Sequence, residues 1–239
     1  MRVLIAAIAL STTALACAPS VAPTVAPTAA TMPPSITWTR RSAEHRLLFE
    51  QIYAGATRAL DSLAQGRSGG WAVILDADET VLDNSEYQRR RAAAGLPYTP
   101  ESWTAWVAER AAPVLPGAAA FLRHVQGLGG RVVIVTNRSQ QECADTRANL
   151  DMVQLPVDAV LCMPDGPGGS DKNPRFASVS AGTADPDLPP LEVLAWVGDN
   201  IQDFPELNQS ARDASRSTVA LFGTRYFLLP NPMYGSWER

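Results

Sequence analysis

The chain has 239 residues, of which 46% are hydrophobic and 18% are charged, and its formal net charge is −4. This composition is typical of a soluble globular protein, and the lack of a basic excess argues against binding to a nucleic-acid polymer. His45 and His124 are the only histidines, which argues strongly against a histidine-phosphate enzyme or a His-rich zinc site.

The N-terminus has the pattern of an export signal. Arg2 is followed by an apolar run that is too short to span a bilayer, and small residues precede Cys17. We predict a signal peptide over residues 1–16. Its end fits an ordinary signal-peptidase site and also resembles a bacterial lipobox, so Cys17 is either lipidated or the start of a plain secreted protein. Residues 17–40, rich in Pro, Ala and Thr, are predicted to form a semi-extended tether, which favours the lipid anchor.

The first half of the predicted folded domain, residues 41–239, contains three helix signals and one strand. Apolar residues recur every four positions over 42–65, which predicts a helix capped by Ser42. Residues 71–75, WAVIL, are predicted to form a buried strand. The sequence Thr-Pro-Glu at 99–101 predicts a helix with proline at its first position, and a further helix is predicted between Pro116-Gly117 and the glycines of 127–130.

The second half alternates strand and helix patterns. Strands are predicted at 131–138, 157–162, 193–200 and 218–222, with a helix over 139–153. Strands that alternate with helices predict an α/β fold with a Rossmann-like, mostly parallel sheet and helices on both faces. In such sheets, ligands bind at the carboxyl ends of the strands.

Two cysteines, Cys143 and Cys162, lie within the predicted folded domain. In an exported protein they could form a disulfide. Two cysteines do not make a disulfide framework, however, and unpaired buried cysteines are at least as plausible from the sequence. Both alternatives stay open at this point.

Polar side chains follow three of the predicted strands at the point where each strand ends. They are Asp76 and Asp78 after the first strand, Thr136 and Asn137 after the second, and Asp199 and Asp203 after 193–197. Two unit charges about 4 Å apart repel by roughly 4 kcal/mol at an effective dielectric constant near 20. Neighbouring carboxylates therefore splay into water, share protons or surround a cation.

Lys172 is the only lysine among the 20 basic residues of the chain. A compact ammonium on a flexible stem suits a phosphate or a buried carboxylate better than the planar arginine side chain used elsewhere. Chance in a Gly- and Asp-rich loop is the alternative explanation. A role in binding a phosphate or a buried carboxylate makes Lys172 a candidate site residue.

In combination, these residues resemble the four motifs of the haloacid-dehalogenase-like (HAD-like) phosphohydrolases. The matching segments are Asp76-Ala77-Asp78-Glu79-Thr80, Thr136, Lys172 and Gly198-Asp199-Asn200-x-x-Asp203. The segments VLDNSEY (81–87), VTNR (135–138), GDNIQDF (198–204) and LPNPMYGSWE (229–238) are similar to the class C acid phosphatases. Members of that family are bacterial outer-membrane lipoproteins that act as 5′-nucleotidases. The resemblance extends over residues 44–238.

The resemblance implies a Mg²⁺-dependent phosphomonoesterase that acts through an aspartyl-phosphate. It assigns Asp76 as the nucleophile and Asp78 as the general acid and base. It assigns Mg²⁺ to Asp76, the Asp78 carbonyl and Asp199, since this cation prefers oxygen ligands. Asp203 is expected to hold a metal-bound water or to orient Lys172.

The remaining site residues implied by the resemblance bind the phosphate and the leaving group. Thr136, Asn137 and Lys172 are expected to contact the phosphate. Residues 84–112 are expected to form a small helical cap over the strand ends. Tyr87 and Tyr234 are candidates for stacking on a nucleoside base, with Trp103, Trp106 and Trp237 behind them. Aromatic residues at helical spacing are more often core than ligand, and stacking does not select one base.

Two alternatives to a nucleotidase remain. One is a broad-specificity phosphatase or phosphotransferase of the same fold, and the other is a non-catalytic surface lipoprotein that binds metal or phosphate. Retention of Asp76, Asp78 and Asp199 together with Lys172 argues against the second. The expected substrate is a small phosphate monoester, with nucleoside monophosphates favoured. The only expected membrane attachment is the lipid on Cys17, at the outer membrane.

Overall fold

The computed structural model describes residues 31–238; the predicted signal peptide, Cys17 and the start of the tether lie outside them. The helices are α1 (Pro34–Arg41), α2 (Ala43–Leu63), α3 (Ser85–Ala93), α4 (Pro100–Glu109), α5 (Ala118–Gly127), α6 (Cys143–Met152), α7 (Asn173–Ala181) and α8 (Arg216–Val219). The strands are β1 (Trp71–Leu75), β2 (Arg131–Ser139), β3 (Ala159–Met163), β4 (Glu192–Gly198) and β5 (Tyr226–Leu228). Among the described helices, none is both long enough and apolar enough to span a membrane.

The five strands form one sheet in the order β3-β2-β1-β4-β5, and every described pair is parallel. The central strand β1 is buried along its whole length. A parallel strand covered on both faces needs a continuous apolar run, which WAVIL provides. The predicted α/β fold with a parallel sheet is therefore confirmed.

Both faces of the sheet are covered, because successive side chains of a strand point to opposite sides. Val73 and Leu75 belong to a core that includes Tyr53 of α2. Ile74 belongs to a second core on the opposite face, against Phe176 of α7. The alternation along β1 thus divides the hydrophobic core into two layers.

Helix α2 begins where the sequence predicts, because the Ser42 hydroxyl accepts a hydrogen bond from the His45 N–H at 3.0 Å. Helix α4 begins at Pro100 with Thr99 as its cap, again as predicted. Helix α5 follows Gly117, whose φ is +82°. A Cβ at Gly117 would lie 2.9 Å from Cβ of Tyr53, so this turn requires glycine.

Helices α3 and α4 lie within the segment predicted as a cap, residues 84–112. The two ends of this insertion are joined to each other beside the sheet. The Asp83 N–H donates to the Pro113 carbonyl at 2.8 Å, and the Leu115 N–H donates to the Val81 carbonyl at 3.1 Å. The insertion therefore leaves and re-enters the domain at a single point.

The tether does not extend to residue 40 as predicted, because Pro34–Arg41 form helix α1. Proline at the first helical position begins the helix, and Ile36 is buried. Arg40 fixes α1 to the cap, with an ion pair to Glu86 at 3.1 Å and a hydrogen bond to Ser85 Oγ at 3.0 Å. The composition of residues 17–40 does not indicate these contacts, because they are made with residues distant in sequence.

The predicted last strand at 218–222 is wrong, and the fifth strand is Tyr226–Leu228. Ser215 caps the short helix α8 by accepting a hydrogen bond from the Thr218 N–H, and Val219 is exposed. Tyr226 and Phe227 are buried instead and pair with β4. The apolar run at 218–222 begins within α8 and precedes the edge strand, which starts at Tyr226.

Cys143 and Cys162 form a disulfide with a Cα–Cα distance of 5.8 Å, which settles the alternative left open by the sequence. The bond joins the start of α6 to β3 across 19 residues of chain. It lies beside the place where Ser139 of β2 pairs with Met163 of β3. The disulfide thus braces the carboxyl ends of two neighbouring strands.

Replacing both cysteines by serine in the double variant C143S/C162S is expected to lower the free energy of unfolding by about 3 kcal/mol, because the unfolded chain loses a closed loop of this length. Denaturant unfolding of both proteins under oxidising conditions measures the difference. Equal unfolding midpoints and slopes would contradict the prediction.

Candidate active site

The carboxyl ends of β1, β2 and β4 open into a cavity of about 500 Å³. Glu238 lines this cavity from the C-terminal segment, and its other charged lining residues are the acids Asp76, Asp78, Asp199 and Asp203 and the bases Arg138 and Lys172. Apart from Glu238, these residues come from three strand ends and from the residue before α7. The parallel sheet therefore brings together groups that are up to 127 residues apart in sequence, from Asp76 to Asp203.

At the centre of the cavity, Lys172 joins two carboxylates. Its Nζ donates to Asp76 Oδ1 at 2.5 Å and to Asp203 Oδ1 at 2.6 Å, and all three residues are buried. Burial alone would lower the pKa of Lys172, but the carboxylates of Asp203 and Asp76 outweigh it and raise that pKa above its usual value. Lys172 is therefore a protonated cation in this site.

Burial and neighbouring charges also act on the pKa of Asp76, but here the effect of burial is the larger one. Burial, together with the nearby Asp203 and Asp78, raises its pKa to about 7, because the opposing effect of Lys172 does not cancel these contributions. Lys172 alone is thus insufficient to keep Asp76 fully ionised at neutral pH. A second positive charge beside Asp76 would favour the carboxylate.

Asp76, Asp199 and Asp203 each place an oxygen within 4.8 Å of the others, and together they could hold a metal ion. Asp199 is oriented by Asn231, whose Nδ2 donates at 2.8 Å to Asp199 Oδ2. Burial, together with Asp203 and Asp76, raises the pKa of Asp199 well above its usual value. Oxygen ligands and uncompensated negative charge fit a hard divalent cation.

Asp78 faces away from Lys172 and is held by two donors. Arg138 donates to Asp78 Oδ1 from Nε at 2.9 Å and from Nη2 at 2.7 Å, and Asn84 Nδ2 donates to the same oxygen at 2.8 Å. Arg138 is almost fully buried, and Asn84 is fully so. In the structure the guanidinium of Arg138 therefore contacts a carboxylate of the site.

The two residues near the end of β2 that are predicted to bind phosphate differ in their surroundings. Asn137 lines the cavity, and its side chain donates to the Ser170 carbonyl and accepts from Arg175. Thr136 is fully buried, is not among the lining residues, and accepts a hydrogen bond from the Arg138 N–H at 3.1 Å. A contact between the Thr136 hydroxyl and phosphate stays a prediction.

The aromatic residues required one correction. Tyr87 does not line the cavity, because its ring is packed in the interior of the cap and its hydroxyl is 2.8 Å from Ser102 Oγ. Tyr234 does line the cavity, as predicted, and so does Trp103. Tyr98 also lines it and was missed, since a tyrosine in the loop between α3 and α4 carries no periodic signal.

The model of the HAD superfamily subfamily IIIB family (acid phosphatase) matches residues 6–237, and the chain belongs to this family. It is therefore an acid phosphatase that hydrolyses small phosphate monoesters.

Among solved structures, the chain is similar to the class C acid phosphatase from Bacillus anthracis, with 30% sequence identity, a TM-score of 0.75 and 85% of each chain covered. A second structure of class C acid phosphatase from Bacillus anthracis, with tungstate bound, matches with 29% identity and a TM-score of 0.74, again over 85% of each chain. The resemblance to the HAD-like class C acid phosphatases is thus confirmed.

Proposed function

We propose that the chain is a Mg²⁺-dependent phosphomonoesterase that forms an aspartyl-phosphate on Asp76. The observation that carries the proposal is the position of Asp76 at the end of β1, in hydrogen-bond contact with Lys172 and next to the carboxylates of Asp199 and Asp203. These groups supply a nucleophile, a fixed cation and ligands for a second cation within one cavity. Phosphoryl transfer depends mainly on such positioning and charge neutralisation.

In the first step, a carboxylate oxygen of Asp76 attacks phosphorus while the bond from phosphorus to the ester oxygen breaks. Asp78 gives its proton to that leaving oxygen. In the second step, Asp78 takes a proton from a water molecule, which attacks the aspartyl-phosphate and releases inorganic phosphate and Asp76. Asp78 can do this without competing for Lys172, because its contacts are with Arg138 and Asn84.

Asp76, Asp199 and Asp203 would hold the divalent cation, with the Asp78 carbonyl as the further ligand implied by the family motif. When bound, the cation supplies positive charge to the phosphate oxygens and favours the ionised form of Asp76. Lys172, which contacts Asp76, provides the second positive charge. Tungstate, bound by a related phosphatase, is an oxyanion like phosphate, and its binding fits a site of this charge.

We further propose nucleoside 5′-monophosphates as the preferred substrates. Tyr98, Trp103 and Tyr234 line the cavity that contains Asp76, and aromatic rings bind bases by stacking. The Tyr234 hydroxyl is buried and has no hydrogen-bond partner among the described residues, so it is available to a ligand. A broad-specificity phosphatase is the competing proposal.

Export, with a lipid on Cys17, is proposed as the cellular setting. The lipobox-like sequence supports it, and the disulfide between Cys143 and Cys162 fits an oxidising compartment.

The variant Asp76→Asn is expected to lower Mg²⁺-dependent phosphate release by at least about 10³-fold, since an amide is a poor nucleophile and cannot form the intermediate. The same change at Asp213, which is exposed and outside the cavity, serves as the control. Phosphate release from a simple aryl phosphate is measured after chelation and again after Mg²⁺ is added. Unchanged turnover in Asp76→Asn, or full wild-type activity in chelator, would contradict the proposal.

The nucleotide proposal predicts a kcat/KM for nucleoside 5′-monophosphates that is about tenfold or more above that for ribose 5-phosphate, since one stacked base contributes about 1–3 kcal/mol. The variant Tyr234→Leu is expected to reduce this preference while changing the rate with ribose 5-phosphate much less. Steady-state assays on both substrates measure the two ratios. Equal kcat/KM values in the wild-type protein would favour the broad-specificity alternative.

A further inference from the structure

Asn84 is the last residue before α3, where the chain leaves the strand end and enters the cap. It is fully buried, and both ends of its side-chain amide are used. Nδ2 donates to Asp78 Oδ1 at 2.8 Å, and Oδ1 accepts from Trp106 Nε1 of α4 at 2.8 Å. Asn84 therefore connects a residue of the active site directly to a helix of the cap.

The orientation of this amide follows from the chemistry of its partners. The indole N–H of Trp106 can only donate a hydrogen bond. The same holds for the guanidinium of Arg138, whose Nη2 lies 3.3 Å from Asn84 Oδ1. They must therefore face the amide oxygen, which leaves the NH₂ group for Asp78. An aspartate at position 84 could not donate to Asp78, and an alanine would leave the Trp106 N–H without this acceptor.

The backbone at Asn84 is fixed as well. Its N–H donates at 2.8 Å to Oε1 of Glu79, a buried residue with φ +52°. A residue other than glycine in this region of φ is uncommon. Glu79 thus holds the first residue of the cap against the loop that carries Asp78.

The second partner of Asp78 also touches α4. The guanidinium carbon of Arg138 lies 5.6 Å from the ring centroid of Trp103, a cation–π arrangement. Both donors to Asp78 thus contact a tryptophan of the same cap helix. A displacement of α4 would change the hydrogen bonds that set the direction of the Asp78 carboxyl group.

We propose that Asn84 is a positioning residue that couples the docking of cap helix α4, through Trp106, to the alignment of the proton donor Asp78. The inference rests on the proposed function, in which Asp78 protonates the leaving group. When α4 lies over the cavity, the cap encloses the leaving group. The hydrogen bonds of Asn84 to Trp106 and Asp78 then direct the acid toward that group. Proton transfer is then aligned only when the cap is seated.

The test compares two substrates that differ in their need for a proton. An alkyl phosphate such as β-glycerophosphate releases a strongly basic alkoxide, whereas p-nitrophenyl phosphate releases a stable anion that leaves without protonation. The ratio of kcat/KM for the alkyl over the aryl substrate measures alignment of the acid, since kcat/KM covers the steps up to formation of the aspartyl-phosphate. A general loss of folded protein lowers both values equally.

Asn84→Ala is expected to lower the alkyl-to-aryl ratio by about tenfold or more, part of the 10²–10⁴-fold that general acid catalysis contributes. Trp106→Phe keeps a ring in the cap but removes the donor to Asn84, and we expect a drop of about fivefold, since a neutral hydrogen bond contributes about 1 kcal/mol. The matched control is Glu101→Gln, at an exposed position of the same helix outside the cavity, which leaves Asn84 untouched. Its ratio is expected to equal that of the wild-type protein.

Equal losses on both substrates in Asn84→Ala and Trp106→Phe would overturn the inference, as would an equally lowered ratio in Glu101→Gln. Thermal unfolding shows which variants are folded. If Asn84→Ala is not folded, the result for Trp106→Phe tests the inference. Asp78→Asn separates this inference from the proposed function. An unchanged ratio in Asp78→Asn refutes the acid role itself, whereas a lowered ratio there with normal ratios in Asn84→Ala and Trp106→Phe refutes only the coupling.

Discussion

The ammonium of Lys172, buried between Asp76 and Asp203, is the interaction on which the rest of the site depends. Two buried carboxylates this close repel strongly, and removing one partner of a buried ion pair typically costs about 3–5 kcal/mol. The single lysine of the chain compensates part of that charge, while burial, together with Asp203 and Asp78, still raises the pKa of Asp76. The remaining negative charge is what makes the cluster suitable for a divalent cation.

The two-residue spacing of Asp76 and Asp78 separates two different environments. Asp76 contacts Lys172, which directly precedes α7. Lys172 also contacts Asp203, which follows β4. Asp78 contacts Arg138 and Asn84, which are both in contact with the cap. In the proposed mechanism, the nucleophile is thus positioned by Lys172, and the acid by Arg138 of β2 together with Asn84 at the start of the cap. Neighbouring carboxylates can have different roles because different parts of the fold hold them.

Much of this arrangement could be predicted from the sequence, because strand β1 is a continuous apolar run and parallel strands gather their carboxyl ends at one edge. The edge strand Tyr226–Leu228 could not, since three residues carry almost no periodic signal and depend on pairing with β4. The roles of Tyr87 and Tyr98 were similarly hidden. Whether a cap aromatic faces its own helices or the cavity depends on the docking of the cap, which local patterns do not encode.

The most direct test of the account is to locate the phosphoryl group during turnover. The protein is mixed with substrate and Mg²⁺, quenched in acid and treated with borohydride, which reduces an acyl phosphate to an alcohol, and its peptides are then mapped by mass spectrometry. The account predicts reduction at Asp76 in the wild-type protein and at no residue in Asp76→Asn. Reduction at another residue, or phosphate release by a protein in which no acyl phosphate can be trapped, would contradict it.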